Sequence, residues 1–163
     1  MRDLYVNSLL SDWSLNGDYA LKLTADLTAE QMVHQPAAGM NHPAWVLSHL
    51  HAYHPVMIDL LTGKTPTDPL NHEYGMKSSP VADASAYLPK DELRDAFAQG
   101  HADVASALEA TTAELLGSSM PLDRWTQRFP QVGSILPYLM SRHEALHLGQ
   151  ISAWRRVQGL PSV

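Results

Sequence analysis

The sequence predicts an all-α protein, a four-helix bundle with a long crossover between its second and third helices. Three observations predict it. No segment alternates polar and apolar residues over any length, so no sheet is expected. Four long stretches instead carry apolar residues at helical spacing, and four such helices in 163 residues fit a bundle. The connection between the second and third of them, residues 63–88, is longer than compact domains ordinarily carry. Such a connection can run the length of a helix, about 30 Å, and let the helices it joins lie parallel.

The elements follow in chain order. Helix 1 spans residues 3–27, with Leu9, Trp13, Ala20, Leu23 and Leu27 at helical spacing and Asn16-Gly17 loosening its middle. Thr28-Ala29-Glu30-Gln31 is a capping-box pattern that starts a short turn, which Gln35-Pro36 ends. Asn41 caps helix 2 and Pro43 sits in its first turn, where a missing N–H costs little. That helix runs to Leu61, with a kink near His51 imposed by Pro55, and stops at Gly63. Pro89 opens helix 3, with Asp91 and Glu92 favouring its N-terminus and Gly117 ending it. A second loop covers residues 118–133. Ser134 caps helix 4, Pro137 lies in its first turn, and the helix reaches Val157 before Gly159 and Pro161.

Composition narrows the function classes. The length fits a single domain over residues 1–163. With 11 basic against 17 acidic residues and no Lys/Arg run, no nucleic-acid surface is expected. The lack of cysteine excludes disulfides, thiolate metal sites and cysteine nucleophiles, and fits a reducing compartment. Met1-Arg2-Asp3-Leu4-Tyr5 lacks the apolar run of a signal peptide, and no stretch nears the roughly 20 apolar residues that cross a bilayer. The expected location is cytoplasmic, with no membrane partner. Nine histidines are a high count and point to metal chemistry.

The histidines of interest begin in helix 4. His143 and His147 are four apart, so both rings can reach one metal ion from one face. They belong to a stripe of Leu136, Leu139, Met140, His143, His147, Ile151 and Trp154 that helical periodicity turns into the core. His143-Glu144-Ala145-Leu146-His147 also matches the zincin pattern of two histidines flanking a glutamate. No further His, Asp or Glu follows His147, so a protease reading fails and a third ligand has to come from upstream. His49, on the apolar side of helix 2, is the best candidate. Three neutral ligands with an open fourth position make a catalytic rather than a structural pattern. Glu144 has two readings, a general base for a metal-bound water or an exposed carboxylate without a catalytic role. His51 and His54 project to other faces of helix 2 and are expected at the surface, while His42 shares the seam of His49 two turns earlier. His34, His72 and His101 fall in loops or on polar faces. Gln150, one turn beyond His147, either orients a ligand or packs. Arg155-Arg156 either offsets the negative end of the helix or holds an anion.

Three segments in order, LTAEQMVHQPAAGMNHPAWVLSHL, YGMKSSP (followed by Tyr87 and Pro89) and HEALHLGQISAWRRVQGLP, resemble the DinB/YfiT-like superfamily of metal-binding helical bundles. The resemblance covers nearly the whole chain. It implies an up-down-down-up bundle, in agreement with the crossover loop. It also implies a divalent metal ion, zinc or nickel, on three histidines that match His49, His143 and His147. Relatives of this kind include transferases and isomerases that use low-molecular-weight bacterial thiols, and metal-dependent hydrolases, and homodimers are common among them. The leading expectation is therefore a metal-dependent thiol S-transferase acting on a small-molecule substrate, with a homodimer as the expected assembly. The alternatives are a hydrolase working through a metal-bound hydroxide, with Glu144 as base, and a non-catalytic bundle in which the metal ties two helices together.

Overall fold

A computed structural model describes residues 1–163, and it is all-helical without a strand. α1 covers Arg2–Ala25 without interruption at Asn16-Gly17. α2, Ala29–Met32, starts with the expected capping box, Thr28 accepting from Gln31 N while the Gln31 side chain accepts from Thr28 N, and it ends before Gln35-Pro36. The predicted helix 2 is two helices, α3 at Pro43–Ala52 and α4 at His54–Leu61, broken at Tyr53. Pro55 explains the break, because it lacks the N–H that would bond back to His51 and its ring crowds that turn. His42, not Asn41, is the N-cap of α3. Gly63 stops the pair with a positive φ of 76°, which glycine adopts without steric cost.

The predicted helix 3 is also shorter than expected. α5, Lys90–Ala110, stops at an extended Thr111, and Thr112 caps a separate turn, α6, at Ala113–Leu116. The next loop contains α7, Asp123–Thr126, and one isolated bridge between Ser119 and Gln131. Helix 4 has three parts. α8, Val132–Leu136, is capped by Gln131, with Ser134 inside its first turn rather than at the cap. A π-helical segment follows at Pro137–His143, and α9 completes the helix at Glu144–Val157.

Hydrogen bonds between helices give their relative directions. Along α1, Arg2 reaches Thr111 O, Trp13 reaches His101 O, and Leu27 O accepts from Lys90, so α1 and α5 run in opposite directions. Tyr5 bonds Gly133 O, Asn16 bonds Met140 O and Leu23 O accepts from Arg155, so α1 and the α8–α9 helix run the same way. Asn41 meets Gln150 while His49 meets His143, which sets α3 against α9. α3 and α4 also pack on α5. The side chains between these helices form two apolar clusters. One holds Trp13, Met57 and Met140; the other holds Trp45, Phe97, Leu148 and Trp154. Burying each large apolar side chain here contributes about 2 kcal/mol.

Candidate metal centre

The site lies where α3 meets the junction of the π segment and α9. His42 begins α3: its Nδ1 accepts from Trp45 N and its Nε2–H donates to Val81 O, so a buried imidazole caps the helix. Seven residues on, His49 is buried on the face toward helix 4. Its Nδ1–H donates 2.6 Å to Tyr74 O in the crossover loop, which leaves a lone pair on Nε2. His147 is fixed in the same tautomer. Its Nδ1–H donates to Gln150 Oε1, 3.2 Å away, and that oxygen also accepts from Asn41. Gln150 thus orients a ring, the first of its two expected roles.

His143 completes the group. A continuous α-helix would turn His143 and His147 into the core; the structure leaves both half-buried and places Glu144 and Leu148 in the core instead. The π segment is the reason. Its wider turns take more residues per revolution, so the stripe shifts phase between Met140 and Glu144. The two rings end on the seam with α3. The carbonyl of Met140 accepts from Asn16 of α1, 3.2 Å away, which supports the wide turn from outside.

The ligand atoms of His49, His143 and His147 all lie within 4.8 Å of one another, and the three can hold one metal ion. His49 Nε2 and His143 Nε2 are 3.1 Å apart, and two ring nitrogens at that distance need a proton or a cation between them. Tetrahedral coordination with metal–nitrogen bonds near 2.0–2.1 Å separates its ligands by about 3.3 Å, close to the 3.1 Å of the His49–His143 pair. Burial first, then the neighbouring imidazoles, pull His49 down to about 4 and His143 to about 3. Burial also lowers His147. All three rings are therefore neutral near pH 7 and keep lone pairs for a cation. Trp45 stacks on His49 at 4.8 Å, and Tyr53 and Tyr138 border His143 with ring centroids at 5.0 and 5.8 Å.

Several other residues are not where the sequence put them. Glu144 is 1 % exposed, so the exposed-carboxylate reading is wrong; its Oε1 accepts 2.9 Å from His101 Nε2 in the core between α1 and α5, and its Oε2 has no partner. His101 is not on a polar face: it is buried, stacked at 3.6 Å on Trp13. His54 is not at the surface either, being 1 % exposed, while His51 is half-buried with its Nδ1 3.3 Å from that of His54. Two glycines make room for these rings. A Cβ on Gly17 would fall 2.7 Å from His101 Cε1, and one on Gly100 would fall 2.1 Å from His54 Nδ1. Arg155 is buried, with a two-pronged bond to Asp26 and another to Leu23 O, so its charge serves the fold.

A cavity of about 970 Å³ lies on the other side of α3 and α4, under the crossover loop. None of the three rings lines it. Tyr74 joins the two, lining the cavity while its carbonyl holds His49.

The fold and the site together define a helical protein that gathers imidazoles from facing helices around one point. Residues 13–151 match the model of the DinB superfamily, and the chain belongs to that superfamily. Comparison with curated proteins finds no match.

Proposed function

We propose that this chain is a metal-dependent enzyme built on an up-down-down-up four-helix bundle, with one divalent ion on His49, His143 and His147, and that it transfers a small thiol. The antiparallel and parallel helix pairs support the bundle topology, and superfamily membership supports the metal. The observation that carries the reading is the convergence of three neutral imidazoles from two helical segments, with no fourth protein ligand among them. A closed structural site would be expected to have four.

A divalent ion held there supplies Lewis acidity, which lowers the pKa of a thiol entering the open position. The protein supplies the rest. Tyr74 O and Gln150 Oε1 lock the His49 and His147 rings with lone pairs inward. Neutral ligands leave the ion's charge undiminished. Trp45, stacked on His49, keeps water off that flank. The Tyr53 ring covers another flank beside His143, and burial holds its phenol above its ordinary value, so it adds no negative charge there. In the transfer, the thiol sulfur bonds to an electrophilic carbon, the leaving group departs with its electron pair, and the thiol proton is released to solvent or to that group. Glu144 has no part in this step, because its carboxylate is engaged by His101.

Two measurements test the reading. Elemental analysis should find about one zinc or nickel per chain, and His49→Ala should lose it. Metal-loaded protein mixed with bacterial low-molecular-weight thiols and an electrophilic acceptor should turn over faster than His147→Ala. No difference for any thiol tried, with metal present, would reject the transferase while leaving the metal centre standing.

A further inference from the structure

We propose that the 970 Å³ cavity under the crossover loop is a second binding site, separate from the three imidazoles, for a small organic cation with an apolar or aromatic body. Its size falls in the range of small-molecule sites. Its floor is the outer face of α3 and α4, where Pro55 and Val56 offer apolar surface. Its far wall is aromatic: Tyr74 and Tyr87 stack on each other at 5.6 Å. The Tyr74 hydroxyl donates to Ala86 O and that of Tyr87 accepts from Val81 N, so both rings are held in place. Fixed aromatic rings are suited to cations and to flat apolar groups.

The charges decide between those ligands. Three carboxylates, Asp59, Asp68 and Glu73, line the cavity along with two histidines, His51 and His72, and no Lys or Arg does. Asp68 is already used, since Arg124 Nε reaches both of its oxygens at 2.7 and 2.6 Å. Asp59 and Glu73 make no ion pair within the chain. An anion entering here would meet unpaired negative charge and no cation. A neutral ligand gains nothing from either carboxylate, whereas an ammonium group pairs with them while its body covers the aromatic wall.

The test is titration calorimetry of the full chain with benzylammonium and with benzyl alcohol, its neutral counterpart. Benzylammonium should bind saturably at one site, and benzyl alcohol about tenfold more weakly or not at all. The double variant Asp59→Asn/Glu73→Gln should bind benzylammonium about fivefold more weakly, with an unchanged circular-dichroism spectrum. His147→Ala should bind it as the parent chain does. The inference is overturned if benzylammonium shows no saturation up to about 10 mM, if benzyl alcohol binds equally well, or if the double variant binds unchanged. Loss of binding in His147→Ala would assign the cation to the imidazole centre instead. None of these results bears on metal content, so this proposal and the metal-dependent reading fail separately.

Discussion

Replacing Gly100 by alanine should destabilise this protein, although the same change inside a helix ordinarily helps. Alanine is favoured over glycine by about 1 kcal/mol in a helix interior. At Gly100 the new Cβ would sit 2.1 Å from His54 Nδ1, and ordinary contact begins near 3.4 Å. Something has to give by about 1.3 Å. His54 cannot easily be what gives, because it is 1 % exposed and ringed by Trp13, Phe97 and His101 at centroid distances of 5.7, 5.3 and 5.8 Å. Overpacking of that kind costs about 3 kcal/mol at the upper end, which outweighs the helix term and leaves a loss of about 2 kcal/mol. For a chain of this size that lowers Tm by about 4–8 °C. Gly149→Ala is the control: nothing lies within 4 Å of its Cβ, so it should raise Tm by about 2–4 °C. Scanning calorimetry of both variants, and of Gly100→Ala on a His54→Ala background, separates the terms. Removal of the ring should turn the Gly100 substitution from harmful to helpful. If Gly100→Ala melts at or above the parent temperature, the packing assigned to His54 is wrong.

Three further outcomes are expected. In metal-free protein, His49 and His143 have folded values near 4 and 3, below the 6.5 of an unfolded histidine, so the unfolded chain takes up protons first as pH falls. The stabilisation is complete above about pH 6.5 and is lost as pH falls through that range towards 3; thermal melts from pH 8 to 4 should show it, and a His49→Gln variant should show a shallower fall. Glu144→Ala leaves His101 Nε2 buried without its acceptor and should cost about 3 kcal/mol in urea unfolding, with Glu144→Gln costing less because it keeps an acceptor; equal and small losses would mean the pair contributes little. Arg155→Ala removes a buried guanidinium and frees Leu23 O, and should cost about 2 kcal/mol, discounted because Asp26 is half-exposed; a melt unchanged from the parent would refute the structural role.

Much of this was legible in the residues. The Thr28–Gln31 capping box, a distortion at Pro55 (read as a kink, found as a full break), the stop at Gly63 and the convergence of His49 with His143 and His147 each rest on chemistry that a sequence displays. The inner histidine pair was not legible. His54 reads as outward-facing because it lies about 140° round from His49 on the same predicted helix, and His101 because histidine is polar. The available signal was Gly17 and Gly100, glycines inside helices at some cost in stability, which mark close approach. Glu144 was misplaced for a different reason. Periodicity assumes a uniform turn, and nothing in Pro137-Tyr138-Leu139-Met140-Ser141-Arg142-His143 announces the wider one.

That slack winding before His143 sets the aim of everything after it. Tightening it to ordinary α-helical turns, with no residue dropped, would turn everything downstream by about 100° about the helix axis. The same histidines, unchanged in identity and in their mutual spacing, would then address a different neighbour, and His49 would lose its companions. The winding of a single helical stretch, rather than the choice of side chains, thus decides whether this scaffold assembles its trio of rings.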